Sequence, residues 1–137
     1  MLATGSCYLP DSIDMMTWTI GDHGFEMTLA RSVPAMIHRY LRPWLERWLG
    51  DAGYRLDDVR SYVIHPGGPK ILGAVEETLG ISAANAAPSR EVFAEYGNMS
   101  SPTVFFILKR LMERRAPRPC LMLGFGPGLV AEAALLG

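Results

Sequence analysis

Only two cysteines, Cys7 and Cys120, occur in the sequence. That is too few for a disulfide-built scaffold, and they lack the CxxC spacing of a thiolate metal site. A reducing, cytoplasmic compartment is the simplest expectation. The three histidines stand at no metal-ligand spacing with one another or with a cysteine or carboxylate, so no metal is expected. An excess of charge of one sign is also missing: 13 basic residues face 14 acidic ones with no sustained block, which argues against nucleic acid or an anionic membrane as partner. A small molecule or another protein is left. Long apolar runs are absent too. The most apolar stretch, "CLMLGFGPGLVAEAALLG", is interrupted by Pro127, four glycines and Glu132, and the N-terminus has no basic region leading into an apolar core. Neither a membrane span nor a signal peptide is expected. Glu26, Glu76 and Glu77 form no paired arrangement suited to acid–base work.

What is present is core-forming material. Hydrophobic residues make up 49% of the 137 and charged ones 20%, which predicts one domain over residues 1–137, without repeat or linker. "SIDMMTWTI" (12–20) and "FEMTL" (25–29), separated by "GDHG", predict a β-hairpin. Ser32 and Pro34 open a helix whose apolar positions, Ile37, Leu41, Trp44, Leu45, Trp48 and Leu49 among them, recur every three or four residues, with Pro43 expected to bend it. His38 and His23 are expected on the surface and in a turn. "SYVIH" reads as a short strand and "GPKILGAVEETLG" as a helix. "ISAANAAPSREVFAEYG" reads as a loop followed by a short helix. "SSPTVFFILKRLMERRA" has Ser101 at the cap, Pro102 in the first turn and basic residues at its end, all helix signals. "CLMLGFG" and "LVAEAALL" predict two strands around a Gly-Pro-Gly turn. Strands alternating with helices imply a layered α/β domain, helices packed on a mixed sheet.

Three short motifs could carry chemistry. In "VIHPGGPKIL" (63–72) the proline after His65 favours an extended histidine at its strand end, and Gly67 and Gly68 permit close approach ahead of a helix start at Pro69. A helix mouth favours a neutral imidazole that donates a hydrogen bond. In "YGNMSSP" Asn98 stands just before another helix, and its amide donates without titrating. Together they could form an oxyanion hole. Structural roles, a histidine before a turn and an Asn-Gly turn pair, remain open on these residues alone. The third motif, "GFGPG" at 124–128, can equally be a tight strand connection.

With "HPGGP", "GNMSSP" and "GFGPGL" in that order, and "GF" and "VP" near 24–25 and 33–34, essentially the whole chain resembles the chalcone and stilbene synthase family, the type III polyketide synthases. "DMMTWTIGDHGF" looks closer to bacterial than to plant members. The resemblance implies the C-terminal half of a thiolase-type fold, with the nucleophilic cysteine on a missing N-terminal half and a homo-oligomer as the assembly. It gives His65 and Asn98 the roles of binding the thioester carbonyl of malonyl-CoA, stabilising the enolate formed on decarboxylation and stabilising the condensation oxyanion. CoA thioesters are the implied substrates, a starter acyl-CoA and malonyl-CoA, with no cofactor. Ser100 is implied as pocket lining, or as a hydroxyl helping to cap the next helix. Gly124, Phe125, Gly126 and Pro127 would shape the cavity in which the product folds. Lys70 would meet a CoA phosphate, or stand solvated in the first helical turn.

Met27 takes a position where plant members often carry a gating phenylalanine, and Trp18 one where a small residue can widen the plant cavity; core packing of the hairpin is the other reading of both. Cys7, expected ahead of the first strand, and Cys120, expected at the start of a buried strand, are read as packed thiols. Two other classes are carried beside the synthase: a non-catalytic half-domain that docks on a partner half, and a ketoacyl synthase III-like condensing enzyme of fatty-acid metabolism.

Overall fold

The computed structural model describes residues 1–137. Six strands and four helices follow in the order β1 (Ala3–Tyr8), β2 (Met16–Gly21), β3 (Gly24–Leu29), α1 (Val33–Asp51), β4 (Ser61–Ile64), α2 (Pro69–Leu79), α3 (Ala83–Tyr96), α4 (Pro102–Glu113), β5 (Cys120–Gly126) and β6 (Val130–Leu136). A four-stranded mixed sheet has the order β1-β6-β5-β4, parallel only between β4 and β5, while β2 and β3 pair as a separate hairpin. The hairpin strand begins at Met16 rather than at Ser12, because Ser12 turns the chain: the Met15 N–H donates to its carbonyl at 2.9 Å.

Strand alternation decides which face carries which helices. Leu121 and Leu123 of β5 and Ala131, Ala133 and Leu135 of β6 join one core with Ile37, Leu41, Leu45 and Leu49 of α1 and with Leu72 and Val75 of α2. The α1 residues recur every four, which puts them on one stripe of that helix. Val63 and Cys120 point the other way and pack with Val92 of α3 and with Ile107 and Leu111 of α4. The sheet is thus a middle layer. Its second face is covered only towards β4, where α3 and α4 make their sheet contacts, and lies open towards β6 and β1.

Two elements depart from the sequence reading. Residues 3–8, placed ahead of any strand, form the edge strand β1, pairing Ala3 with Leu135 and Tyr8 with Val130. The reason lies across the sheet. Gly5 leaves room for Trp48, whose indole Nε1 would lie 2.5 Å from any Cβ built there and instead donates to the Thr4 carbonyl at 3.0 Å. Cys7 is therefore in a strand, half-buried.

Residues 83–96, expected to start as a loop, form a continuous helix although Pro88 sits inside it. Ser82 caps that helix by accepting from the Asn85 N–H at 3.3 Å, and the next turn docks: the buried Ser89 hydroxyl accepts from the Ile64 N–H at 3.1 Å. Tertiary contact offsets the cost of the proline. Helix α1 likewise runs on through Pro43. Ion pairs from Glu91 and Glu95 of α3 to the half-buried Arg110 of α4 and to Arg114 just after it bridge the two helices and add little energy.

Candidate active site

His65 leaves the end of β4 with its backbone still in the sheet, the N–H donating to the Leu123 carbonyl at 2.8 Å. The proline that follows removes the next ladder donor, so the strand ends there. The Gly67 N–H then turns back to the His65 carbonyl at 3.0 Å, and Gly68 precedes Pro69 at the start of α2. The imidazole is half-buried, and burial lowers its pKa from the ordinary histidine value, which favours the neutral ring. Beside it, Gly124 leaves a gap: a Cβ built there would meet the His65 Cβ at 3.7 Å.

Asn98 stands in the loop between α3 and α4, exposed on the open side of the sheet. Its Oδ1 accepts from the Ser100 N–H at 2.8 Å, closing an Asx turn that leaves the amide nitrogen as a free donor. Ser100 takes a left-handed conformation, with φ of 61°, and the Met99 N–H donates to the buried Thr103 hydroxyl at 2.9 Å. Ser101 makes no side-chain cap, so Thr103 does the anchoring expected of it.

The "GFGPG" residues finish β5 and enter the turn Pro127–Leu129, where Gly128 has φ of 75°. Its N–H donates to the Met16 carbonyl at 2.7 Å, and the Ser12 hydroxyl lies 3.1 Å from its carbonyl oxygen. The turn is thereby tied to the entrance of the hairpin. In the hairpin Trp18 and Met27 are cross-strand partners, each 49% exposed, so neither belongs to the core of this chain. Trp18 is held edge-on against Phe25, with ring centroids 5.8 Å apart.

One cavity of about 760 Å³ collects these groups: His65, Asn98 and Ser100 on one side, Trp18 and Met27 on another, and the strand from Gly124 to Gly126 with Pro127 as its floor. Lys70 is not among the lining residues; it stands exposed in the first turn of α2. Neither cysteine reaches the cavity. Cys120 is fully buried, which pushes its thiol up, and Cys7 packs against the α1 side of the sheet. Lining residues that sequence reasoning passed over include Thr4, Ile71, Val104 and Glu132. For Glu132 a signal existed, a lone carboxylate in an otherwise apolar strand. Thr4 lies on the unrecognised β1.

Residues 2–137 match the family model for chalcone and stilbene synthases, C-terminal domain. The chain is 33% identical over 137 residues to the 1,3,6,8-tetrahydroxynaphthalene synthase of Streptomyces peucetius subsp. caesius, covering 98% of this chain and 36% of that enzyme. It superposes on PKS-I from the brown alga Ectocarpus siliculosus with a TM-score of 0.92 at 29% identity, covering 97% of this chain and 38% of that one. On the 1,3,6,8-tetrahydroxynaphthalene synthase of Streptomyces coelicolor A3(2), a bacterial type III polyketide synthase, the TM-score is 0.87 at 32% identity, covering 98% and 39%. The chain thus spans a little over a third of the length of these relatives, over a thiolase-like α/β fold that it shares with them. With its family model matched nearly end to end, the chain belongs to the chalcone and stilbene synthases as their C-terminal domain.

Proposed function

We infer that the chain supplies the histidine and asparagine of a type III polyketide synthase, which extends a starter acyl-CoA by decarboxylative condensation with malonyl-CoA. The observation that carries this reading is the meeting of two motifs, 33 residues apart in sequence, at one cavity: a half-buried imidazole biased to neutrality and an asparagine whose free amide nitrogen can only donate. Two neutral donors stabilise an oxyanion without titrating away as it forms. His65 and Asn98 bind the malonyl thioester carbonyl. Loss of carbon dioxide leaves an enolate whose oxygen they hold, and its α-carbon attacks the acyl group carried on the nucleophile. That nucleophile is a cysteine on a half outside this chain, activated as a thiolate by His65. Ser100 and the Gly124–Pro127 floor bound the growing chain, while Trp18 and Met27 narrow the cavity on the hairpin side. Lys70, outside the lining, is left with a CoA phosphate as its one ligand role.

The experiment is carried out on the protein together with its nucleophile-bearing half, given malonyl-CoA and a series of acyl-CoA starters. His65→Ala and Asn98→Ala are each expected to lower decarboxylation and condensation by 100-fold or more, on the order of one lost oxyanion donor. Retention of wild-type turnover by both variants refutes the reading. Dependence on an acyl carrier protein instead of CoA would identify the ketoacyl synthase alternative.

A specific observation favours a second, compatible reading, in which this half docks on another. Ile20, Phe25 and Phe105 are 82%, 69% and 64% exposed, and the sheet face towards β1 is bare. The partner is the nucleophile-bearing half, and the whole associates as a homo-oligomer.

A further inference from the structure

Glu132 faces the cavity that holds His65, and no step above uses it. On β6 it alternates with the buried Ala131 and Ala133, so its side chain lies on the open face of the sheet. It stands directly across from Gly124 on β5 and from Ser6 on β1. Residues opposed on neighbouring strands share a face. The His65 Cβ lies 3.7 Å from the Cβ position of Gly124, so His65, Gly124, Glu132 and Ser6 form a row across the four strands. The glycine leaves the space between imidazole and carboxylate open.

An exposed glutamate on a strand is ordinarily a solvated one, and two observations set this residue apart. It lines the cavity. Its Oε2 accepts a 2.5 Å hydrogen bond from the Ser6 hydroxyl, and no lysine, arginine or histidine pairs with it, so Oε1 keeps its acceptor capacity. A carboxylate fixed by one donor and free at its other oxygen can receive a substrate hydroxyl, and such a charge-assisted bond is stronger than a neutral one.

We propose that Glu132, oriented by Ser6, is a specificity-determining acceptor that reads a hydroxyl or enol on an acyl thioester whose carbonyl is held at His65. This rests on the role given above to His65. Two interstrand steps separate the backbones of His65 and Glu132, about 9.6 Å, so the two side chains meet different oxygens of one acyl chain. The ligand class is acyl thioesters with an oxygen substituent on the chain, β-hydroxy or enolised β-ketoacyl, in preference to saturated acyl chains of equal length.

Calorimetry on the intact protein with 3-hydroxybutyryl-CoA and butyryl-CoA tests the proposal, since the two probes differ by the one hydroxyl. Wild-type protein is expected to prefer the hydroxylated probe about tenfold, as one charge-assisted hydrogen bond allows. Glu132→Leu should bring the ratio of dissociation constants to within about twofold of unity, and Ser6→Ala, which keeps the carboxylate but frees its orientation, should lower it about threefold. Should Glu132→Leu fail to fold by circular dichroism, Glu132→Gln, which keeps the shape and removes the charge, serves in its place and is expected to reduce the preference. A wild-type ratio near one, a preference that survives Glu132→Leu, or no binding of either probe overturns the proposal. Absence of malonyl-CoA decarboxylation with the preference intact is a different result: it refutes the function proposed for His65 and Asn98 and leaves the acceptor subsite standing.

Discussion

His65 shows how much one position owes to its surroundings. The proline after it ends the strand, Gly124 beside it leaves it unobstructed, and burial lowers its pKa. The unfolded chain takes up this proton near pH 6.5, the folded chain only at lower pH. Between the two values the unfolded state holds more protons, so the stability owed to this residue is complete above pH 6.5 and falls as pH is lowered through that window. An NMR titration of the His65 ring should therefore give a midpoint below 6.5; a midpoint at or above it would contradict the neutral donor. This tendency was partly legible in sequence, because Pro66 and the glycines put the imidazole at a strand end. Glu132 was not, since its meaning depends on the register that sets it across from Gly124 and Ser6.

Helices α1, α2 and α4 were legible because each combines a proline in its first turn with an apolar stripe at helical spacing. The first half of helix α3 was not, because its residues are small and Pro88 interrupts it, and no stripe emerges until Ser89 and Val92 meet β4. Strand β1 escaped for the complementary reason: Gly5 is a poor strand former in isolation and is required only by the indole of Trp48. Both misses are cases of tertiary contact overriding local preference. Since α3 holds the Ile64 N–H next to His65, its start bears on the site. Ser82→Ala removes the cap from the Asn85 N–H and is expected to cost about 1 kcal/mol, read as a lower urea midpoint with unchanged slope. An unchanged midpoint would show that docking alone, without the cap, sets where the helix begins.

At the scale of the molecule, the sheet is finished on one face and unfinished on the other. The α1–α2 side buries an unbroken core, whereas the opposite side is covered over β4 and bare towards β1, and the cavity opens onto that bare side. Exposed apolar side chains gather on the two elements that flank it: Ile20 and Phe25 on the hairpin, Phe105, Phe106 and Met112 on α4. On α4 they lie off the stripe formed by Thr103, Ile107 and Leu111, so the helix is apolar on more of its circumference than this sheet uses. A helix apolar on two sides is one that packs between two layers. In solution, the 137-residue chain alone is expected to bind a dye for apolar surface and to self-associate at micromolar concentration. Co-expression with the nucleophile-bearing half should remove both effects and bury Phe105, which hydrogen exchange along α4 would register as slowed opening. A chain that sediments as a monomer without dye binding would show that the open face is satisfied by water, and that the second half is not needed to complete the layer.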